Sequence, residues 1–334
     1  MLRILHNTHI DFIRLWRITT AITLAFIVPG MILIAIQGYN YSIEFTGGTA
    51  MQVSFKTPPN PADIRAAIDG AGIHGEEISQ FGADTAYLIR VQDQRQVAEQ
   101  ERGAESVADR IDAALLKRYG ADAYKVQRTE AVGPKVGGEL RQKAFYAILW
   151  SFLVTLLYLA WRFEWRFGVA AVIATAHDIL ATLAFIKYVN LEVSLIVVGG
   201  ILTMIGYSLN DTIIIFDRVR ENLRKLKREP LYDTLNRSVN ETLPRSILTH
   251  ATTFATLVAL ALLGGEVIRP FALVMLFGVV TGTFSSIYVA PPVLLWIEYK
   301  WPRAVGDTGG VGVKPIRQMD MRHAPDPKSS PIVQ

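Results

Sequence analysis

The chain has 334 residues, 51% of them apolar and 19% charged, with a mean hydropathy of +0.27 and a net charge of +4. A soluble globular chain carries about a quarter charged residues. Here the missing charge is absent in long blocks, which excludes a disordered, collagen-like or disulfide-framework protein and argues against a purely soluble enzyme. With no cysteine there is no disulfide, thiolate nucleophile or Cys-ligated metal.

A bilayer-spanning helix needs about 20 residues. After a basic N-terminal stretch (1–17, with Arg3, Arg14 and Arg17), residues 18–36 are apolar and uncharged. That run exceeds the ~7–15 residues of a signal-peptide core, and no small-x-small cleavage site follows it. It is expected to be a retained first span. Residues 144–161, 168–187, 193–216, 246–264 and 270–297 are the other five candidates. All are expected to be helical, because lipid offers no partner to an unpaired amide.

Between the first two spans lies a polar segment, 38–143, with 13 basic and 15 acidic side chains. Alternation predicts strands over 49–55, 76–81, 85–91 and 124–132. Helical periodicity predicts helices over 61–71 and 94–119. The order is β-α-β-β-α-β, a split ferredoxin-like layout. The only histidine in this segment, His74, is expected to be exposed in its loop. The two ends of the segment carry glycine pairs beside charge: Glu44-Phe45-Thr46-Gly47-Gly48-Thr49, and Gly133-Pro134-Lys135-Val136-Gly137-Gly138-Glu139. Glycine permits positive φ and close backbone approach, so these are either tight turns at the membrane surface or hinges on which the domain swings.

Short loops rich in Lys and Arg stay in the cytoplasm. Three basic residues precede the first span, two lie in 162–166, eight in 217–245 and six after 298. The opposite short loops have only Lys187 and Arg269. Both termini are expected in the cytoplasm and 38–143 on the opposite side of the membrane. Residues 217–245 are expected as a basic cytoplasmic loop, with Val219, Leu223 and Leu226 on one side of a surface helix lying on an anionic leaflet. Small residues around Gly278 and Gly282 in the last span are expected to allow close helix packing. The tail, 298–334, has no apolar period and is expected to be disordered.

A charge at mid-bilayer costs roughly 2.5–3.5 kcal/mol and usually faces the bundle interior. Asp178, beside His177, sits in the third span. Asp211 sits in the fourth, flanked by Asn210 and Thr212. Arg245 opens the fifth, followed by Thr249, Thr252 and Thr256 at i+4, i+7 and i+11, a polar stripe that His250 and Thr253 widen. Asp211 and Arg245 are expected at similar depth. Arg cannot release a proton, so its motion toward or away from Asp211 would load or unload one on the carboxyl. A buried ion pair that only fixes packing, with the threonines bonded back to their own helix, and a substrate site are the other readings. His177-Asp178 is either a local pair or a proton relay. No Gly-x-Gly-Asp motif marks an intramembrane protease, and no phosphate-cradling glycine loop marks an ATPase.

The run Gly206-Tyr207-Ser208-Leu209-Asn210-Asp211-Thr212, continuing through Phe216-Asp217-Arg218 to Asn222, resembles the fourth-span signature of the SecF branch of the bacterial SecD/SecF family, in the RND superfamily. Phe45-Thr46-Gly47-Gly48-Thr49, Val132-Gly133-Pro134 with Gly138-Glu139-Leu140, His177-Asp178, and Arg245–Thr253 ahead of Gly264-Gly265 agree with it. The resemblance covers about residues 12–300. It implies an α-helical inner-membrane protein of six spans, an RND-like half, with one α+β periplasmic domain, and no enzyme. It implies pairing with SecD and association with the SecYEG channel. Proton motive force would then complete preprotein translocation after the ATP-dependent step of SecA. YajC, YidC and membrane lipids are further neighbours it implies, with no nucleic acid and no cofactor. It places proton flow at Asp211 and Arg245. Glu44 stands where the family usually has Asp, His250 where serine is usual, and Pro244 is unexpected before Arg245. An RND-type exporter of lipids or small molecules is the first rival, though such exporters carry two six-span halves. A passive assembly scaffold is the second.

Overall fold

The computed structural model describes residues 8–92, 106–225 and 229–301. A short 3-10 turn, Ile13–Leu15, leads into α1 (Trp16–Gln37). The stretch before it is pinned to a later helix: Asn240 accepts from Ile10 N at 3.0 Å and donates to Ile10 O at 2.8 Å. The basic segment ahead of residue 8, half of the helix expected over 94–119, and all of the tail beyond 301 lie outside the described residues.

One helical turn, α2 (Ile43–Thr46), precedes a small domain of β1 (Gly48–Phe55), α3 (Pro61–Asp69), β2 (Glu76–Phe81), β3 (Ala83–Val91), α4 (Val107–Tyr119) and β4 (Tyr124–Val132). The sheet order is β2-β3-β1-β4 with every pairing antiparallel. This is the α+β layout expected of the sequence. Period-2 alternation turns Met51, Val53 and Phe55 of β1 and Tyr87, Ile89 and Val91 of β3 onto one face, where Ile64, Ile68, Ile111 and Leu115 cover them. Caps fix the two covering helices. Asn60 accepts from Ala62 N at 3.0 Å ahead of Pro61, and Ser106 accepts from Asp109 N at 3.1 Å.

The two glycine motifs at the ends of this domain meet. Gly47 has φ +76°, and a Cβ there would lie 2.8 Å from Pro134 Cα. A Cβ on Gly137 would lie 2.7 Å from Gly47 N, and one on Gly48 2.5 Å from Val91 O. Gly138 has open space. Gly133 is extended and caps the next helix, with Pro134 in its first turn.

The bundle comprises α1, α5 (Pro134–Arg162), α6 (Trp165–Tyr188), α7 (Leu195–Lys225), α8 (Leu231–Leu263), and α9 (Gly265–Tyr288) continued by α10 (Ala290–Lys300). Among the described residues six segments are long and apolar enough to cross a membrane. The last was expected as one uninterrupted helix over 270–297. It breaks at Val289 because Pro291 and Pro292 have no amide hydrogen to give the preceding turn. Helices α6, α7 and α9 form the inside. The glycine positions bring α9 against α7: a Cβ on Gly278 would lie 2.1 Å from Met204 Cγ, and one on Gly282 2.9 Å from Ser208 Cβ.

The helix expected at the start of 217–245 is present and continues the fourth span as far as Lys225. Helices α7 and α8 together run through most of this stretch. The apolar side that suggested contact with a leaflet is used within the protein: Val219 and Leu223 pack with Leu231, Leu235 and Val239 in a core that also holds Phe12, Phe216 and Leu294. Amphipathicity alone could not tell a lipid surface from a partner helix.

Candidate functional site: two clamped carboxylates

Helices α6, α7, α8 and α9 converge on two aspartates. Asp178 of α6 is 0% exposed and Asp211 of α7 is 2% exposed. Asp178 Oδ1 lies 2.9 Å from His177 Nδ1. Its Oδ2 accepts from Ser208 Oγ of α7 and, at 2.6 Å, from Ser285 Oγ of α9. Asp211 Oδ1 accepts from Ser246 Oγ of α8 at 2.5 Å, and Oδ2 from Ser286 Oγ of α9 at 2.5 Å. Each carboxylate is therefore gripped by hydroxyls from two other helices, and the neighbours Ser285 and Ser286 serve different acids. Ser208 and Asp211 are one turn apart on α7, so the two clamps lie about 5 Å apart in depth.

A hydroxyl can donate, accept or rotate away. Ser286 Oγ also reaches Thr283 O at 3.0 Å, and Ser285 Oγ reaches Gly282 O at 3.2 Å. When a carboxylate takes a proton, its serine can turn to the backbone acceptor and receive the acid's O–H instead. The clamp thus satisfies either protonation state without moving a helix. His177 Nε2 is buried with no partner among the described residues, so this ring has one committed nitrogen and one spare.

Asp211 and Arg245 were expected at similar depth, and the contact of Ser246 with Asp211 places α8 there, although Arg245 makes no hydrogen bond or ion pair with the acid among the described residues. Among the described residues Arg245 is exposed and has no acidic partner. Ser246, the next residue, takes the position facing Asp211. Successive helical residues point about 100° apart, so turning Ser246 inward turns Arg245 outward. The helices do approach, and the guanidinium lies one residue from a direct ligand of the acid.

The stripe that Arg245 begins is also exposed. Thr249 donates to Arg245 O at 3.0 Å, Thr252 and Thr253 to Thr249 O at 2.9 and 3.1 Å, and Thr256 to Thr252 O at 3.0 Å. Their hydroxyls are satisfied within α8. Thr253 also accepts from Tyr207 Oη at 3.0 Å, and His250 Nδ1 lies 2.8 Å from Thr283 Oγ1. Thr212 is buried, whereas Asn210 is exposed and belongs to neither clamp. The four serines were missed as partners of the acids. Ser285 and Ser286 lie among the small residues of the last span, where close packing was the expectation and a bond to an acid was not.

Two buried acids, clamped across four helices of a bundle whose helices are long and apolar enough to cross a membrane, with an α+β domain beside it, define the class: a membrane protein with ionisable groups inside its helices. The family follows from comparison. The description "Protein export membrane protein SecD/SecF, C-terminal" matches residues 112–300, and "SecD/SecF GG Motif" matches 32–59, the stretch holding Gly47 and Gly48. The chain belongs to the SecD/SecF family of protein export membrane proteins. It is 62% identical over 305 residues to the protein translocase subunit SecF of Gemmatimonas aurantiaca, covering 91% of each chain. It is 36% identical over 282 residues to that of Escherichia coli O157:H7, covering 83% of this chain and 86% of the other. Among solved structures it resembles SecDF, a translocon-associated membrane protein from Thermus thermophilus. The TM-score is 0.74 at 34% identity, over 87% of this chain and 39% of that one. The super-membrane-facing form of SecDF gives 0.63 at 34% identity, over 88% and 40%. The chain thus spans about two fifths of the solved SecDF chains. The matched relatives are named as protein translocase subunits.

Proposed function

We propose that this chain is the SecF-type accessory subunit of the Sec translocase and that, with SecD, it uses proton motive force to complete preprotein translocation after the SecA step. It is a transport subunit, not an enzyme. The observation that carries this is the Asp211 clamp: a carboxylate buried among helices, held by two rotatable hydroxyls, with Arg245 withdrawn one residue away. In this reading the structure is the state with Arg245 apart from Asp211. Rotation or sliding of α8 brings the guanidinium in, favours the ionised acid and expels its proton. One charge crossing the membrane yields about 2.3 kcal/mol per 100 mV, enough to bias two packing states.

SecD supplies the second half-fold, about three fifths of the solved SecDF chains, and covers the exposed stripe of Arg245, Thr249, Thr252 and Thr256. SecYEG supplies the channel. The protein sits in the inner membrane with both termini in the cytoplasm. The basic end opposite the sheet domain supports this, for Arg162, Arg166, Arg220 and Arg224 gather there beside Trp161 and Trp165. The sheet domain is periplasmic and swings, together with α7, about the crossing of Gly47 and Gly137. His177 and Asp178 relay protons to Asp211.

The test is export into inverted vesicles carrying SecD, this chain and SecYEG, with ATP exhausted and a gradient imposed. Asp211→Asn and Arg245→Met lose the gradient-driven step while still co-purifying with SecD. Normal late export by both refutes the proton role.

A further inference from the structure

We propose that Arg90, Glu192 and Glu44 form a joint through which the sheet domain and the helix carrying Asp211 move as one body. The joint rests on the transport reading above and names how its stroke leaves the membrane. Arg90 projects from β3 and is only 8% exposed. It donates through Nη1 to Glu77 Oε2 at 3.2 Å, and through Nη2 to Glu192 Oε2. Glu192 belongs to the turn between α6 and α7. Arg90 therefore ties a strand of the domain to a connection of the bundle, across 102 residues of sequence.

Glu44 makes the second tie. Its Oε2 accepts from Leu195 N, the first residue of α7, at 2.7 Å, and from Ser42 Oγ at 3.3 Å. A carboxylate there meets an otherwise unsatisfied helix amide and the positive end of the helix dipole. Between the two ties the backbones zip together. Ser42 N donates to Val193 O at 3.0 Å, Val193 N donates to Asn40 O at 2.7 Å, and Tyr41 and Val193 form a parallel bridge. Asp211 lies sixteen residues further along α7, about 24 Å down a continuous helix. The tip of the β2–β3 hairpin also rests near the start of α9, which carries Ser285 and Ser286. A Cβ on Gly82 would lie 3.3 Å from Glu266 Cγ.

These contacts have the properties of a rigid coupling. An ion pair with one member nearly buried resists separation more than a surface pair. The main-chain bonds beside it fix register, which a lone salt bridge does not. Movement of α7 at the clamp is thereby carried to the domain without slack.

The chain contains no cysteine, so a pair placed across the bridge reports on this site alone. Tyr41→Cys with Val193→Cys, in the full chain assembled with SecD, cross-links readily on mild oxidation. The locked protein keeps its gradient-driven export, because the joint works closed. Arg90→Met in the same background slows cross-linking and lowers gradient-driven export by roughly tenfold, the scale of one lost charged hydrogen bond. Exchanging the charges, Arg90→Glu with Glu192→Arg, restores export that each reversal alone abolishes, which a packing role would not do. Loss of export on locking overturns the proposal, as does full export by Arg90→Met. Failure of the transport reading is seen separately, as normal export by Asp211→Asn. The cross-linking rate and the charge exchange still decide the joint.

Discussion

Ser286 and Ser246, on two different helices, donate to opposite oxygens of Asp211, each at 2.5 Å. No other side chain among the described residues shares that carboxylate by hydrogen bond. The acid is held between α8 and α9, so a change in either helix is felt at its carboxyl.

Removing one hydroxyl breaks that balance. A hydrogen bond to a charged group contributes about 1.5–3 kcal/mol. Ser286→Ala and Ser246→Ala each lower the gradient-driven rate by about tenfold or more, since 1.4 kcal/mol is a factor of ten. Threonine at either position keeps most of the activity. Export in vesicles under an imposed gradient measures this, with SecD co-purification as the check on assembly.

Gly282 guards the other clamp. Its α-carbon faces Ser208, whose hydroxyl holds Asp178. In Gly282→Ala the new methyl displaces Ser208 or parts α7 from α9. The expected destabilisation is about 1–3 kcal/mol, the usual cost of overpacking, together with impaired export. A Ser208→Gly change in that background makes room for the methyl but loses the hydroxyl. Thermal stability then recovers and export does not, and melting curves beside export rates separate the two effects.

The glycine crossing carries its own control. Gly47→Ala meets Pro134 at a positive φ, and Gly137→Ala meets the backbone of Gly47. Each destabilises by about 1–3 kcal/mol. Gly138→Ala meets nothing and is neutral or improves its helix by up to about 1 kcal/mol. Melting temperature of the purified SecD complex distinguishes the three, and equal effects at Gly137 and Gly138 would contradict the crossing.

Glu192 gives the joint a pH dependence. Burial pushes its carboxyl above the usual glutamate range. Arg90 pulls it back, while the carboxylates of Glu77 and Glu44 push it up further. A group whose pKa is raised in the closed joint, and ordinary when opened to water, binds its proton more tightly when closed. Its contribution is fully present below the ordinary glutamate pKa and lost as pH rises through the raised value. Acidification therefore favours the closed joint, although it discharges the pair with Arg90. The thiolate is the species that reacts, so the rate of Tyr41→Cys/Val193→Cys is divided at each pH by that of the same pair in Glu192→Gln, and this ratio should rise as pH falls through that window. A ratio that falls on acidification gives the opposite sign.

Much of this architecture is legible in the order of residues. Six apolar blocks read as six membrane-crossing segments because lipid imposes helical backbone. The sheet domain reads out because β1 and β3 alternate and Pro61 marks the first turn of one covering helix, whereas periodicity alone started the other at residue 94. Asp178 and Asp211 stand out because charge is rare in such blocks. Their partners do not, since serine in an apolar helix is common and usually bonds its own backbone. Nothing in the spacing of Ser285-Ser286 tells that one faces α6 and the other α7; that depends on how α9 is rotated. The outward turn of Arg245 has the same origin. One residue of phase decides whether Arg245 or Ser246 meets Asp211, and only the packing of α8 sets that phase. The joint at Arg90 and Glu192 lies beyond sequence reasoning for another reason. It links residues far apart in the chain through a register that only the folded domain defines.

The outward stripe on α8 bears on how such a subunit is made. Arg245 opens an exposed helix face that, without a second half-fold, is left uncovered at the edge of the bilayer, where the cost of the guanidinium is smaller than at mid-bilayer but is not removed. A copy synthesised in excess of its mate is thus an orphan with a raw flank, prone to tilt, to draw water inward or to be cleared by surveillance proteases. Balanced synthesis of the two halves is a requirement that this flank writes into the biology of the cell.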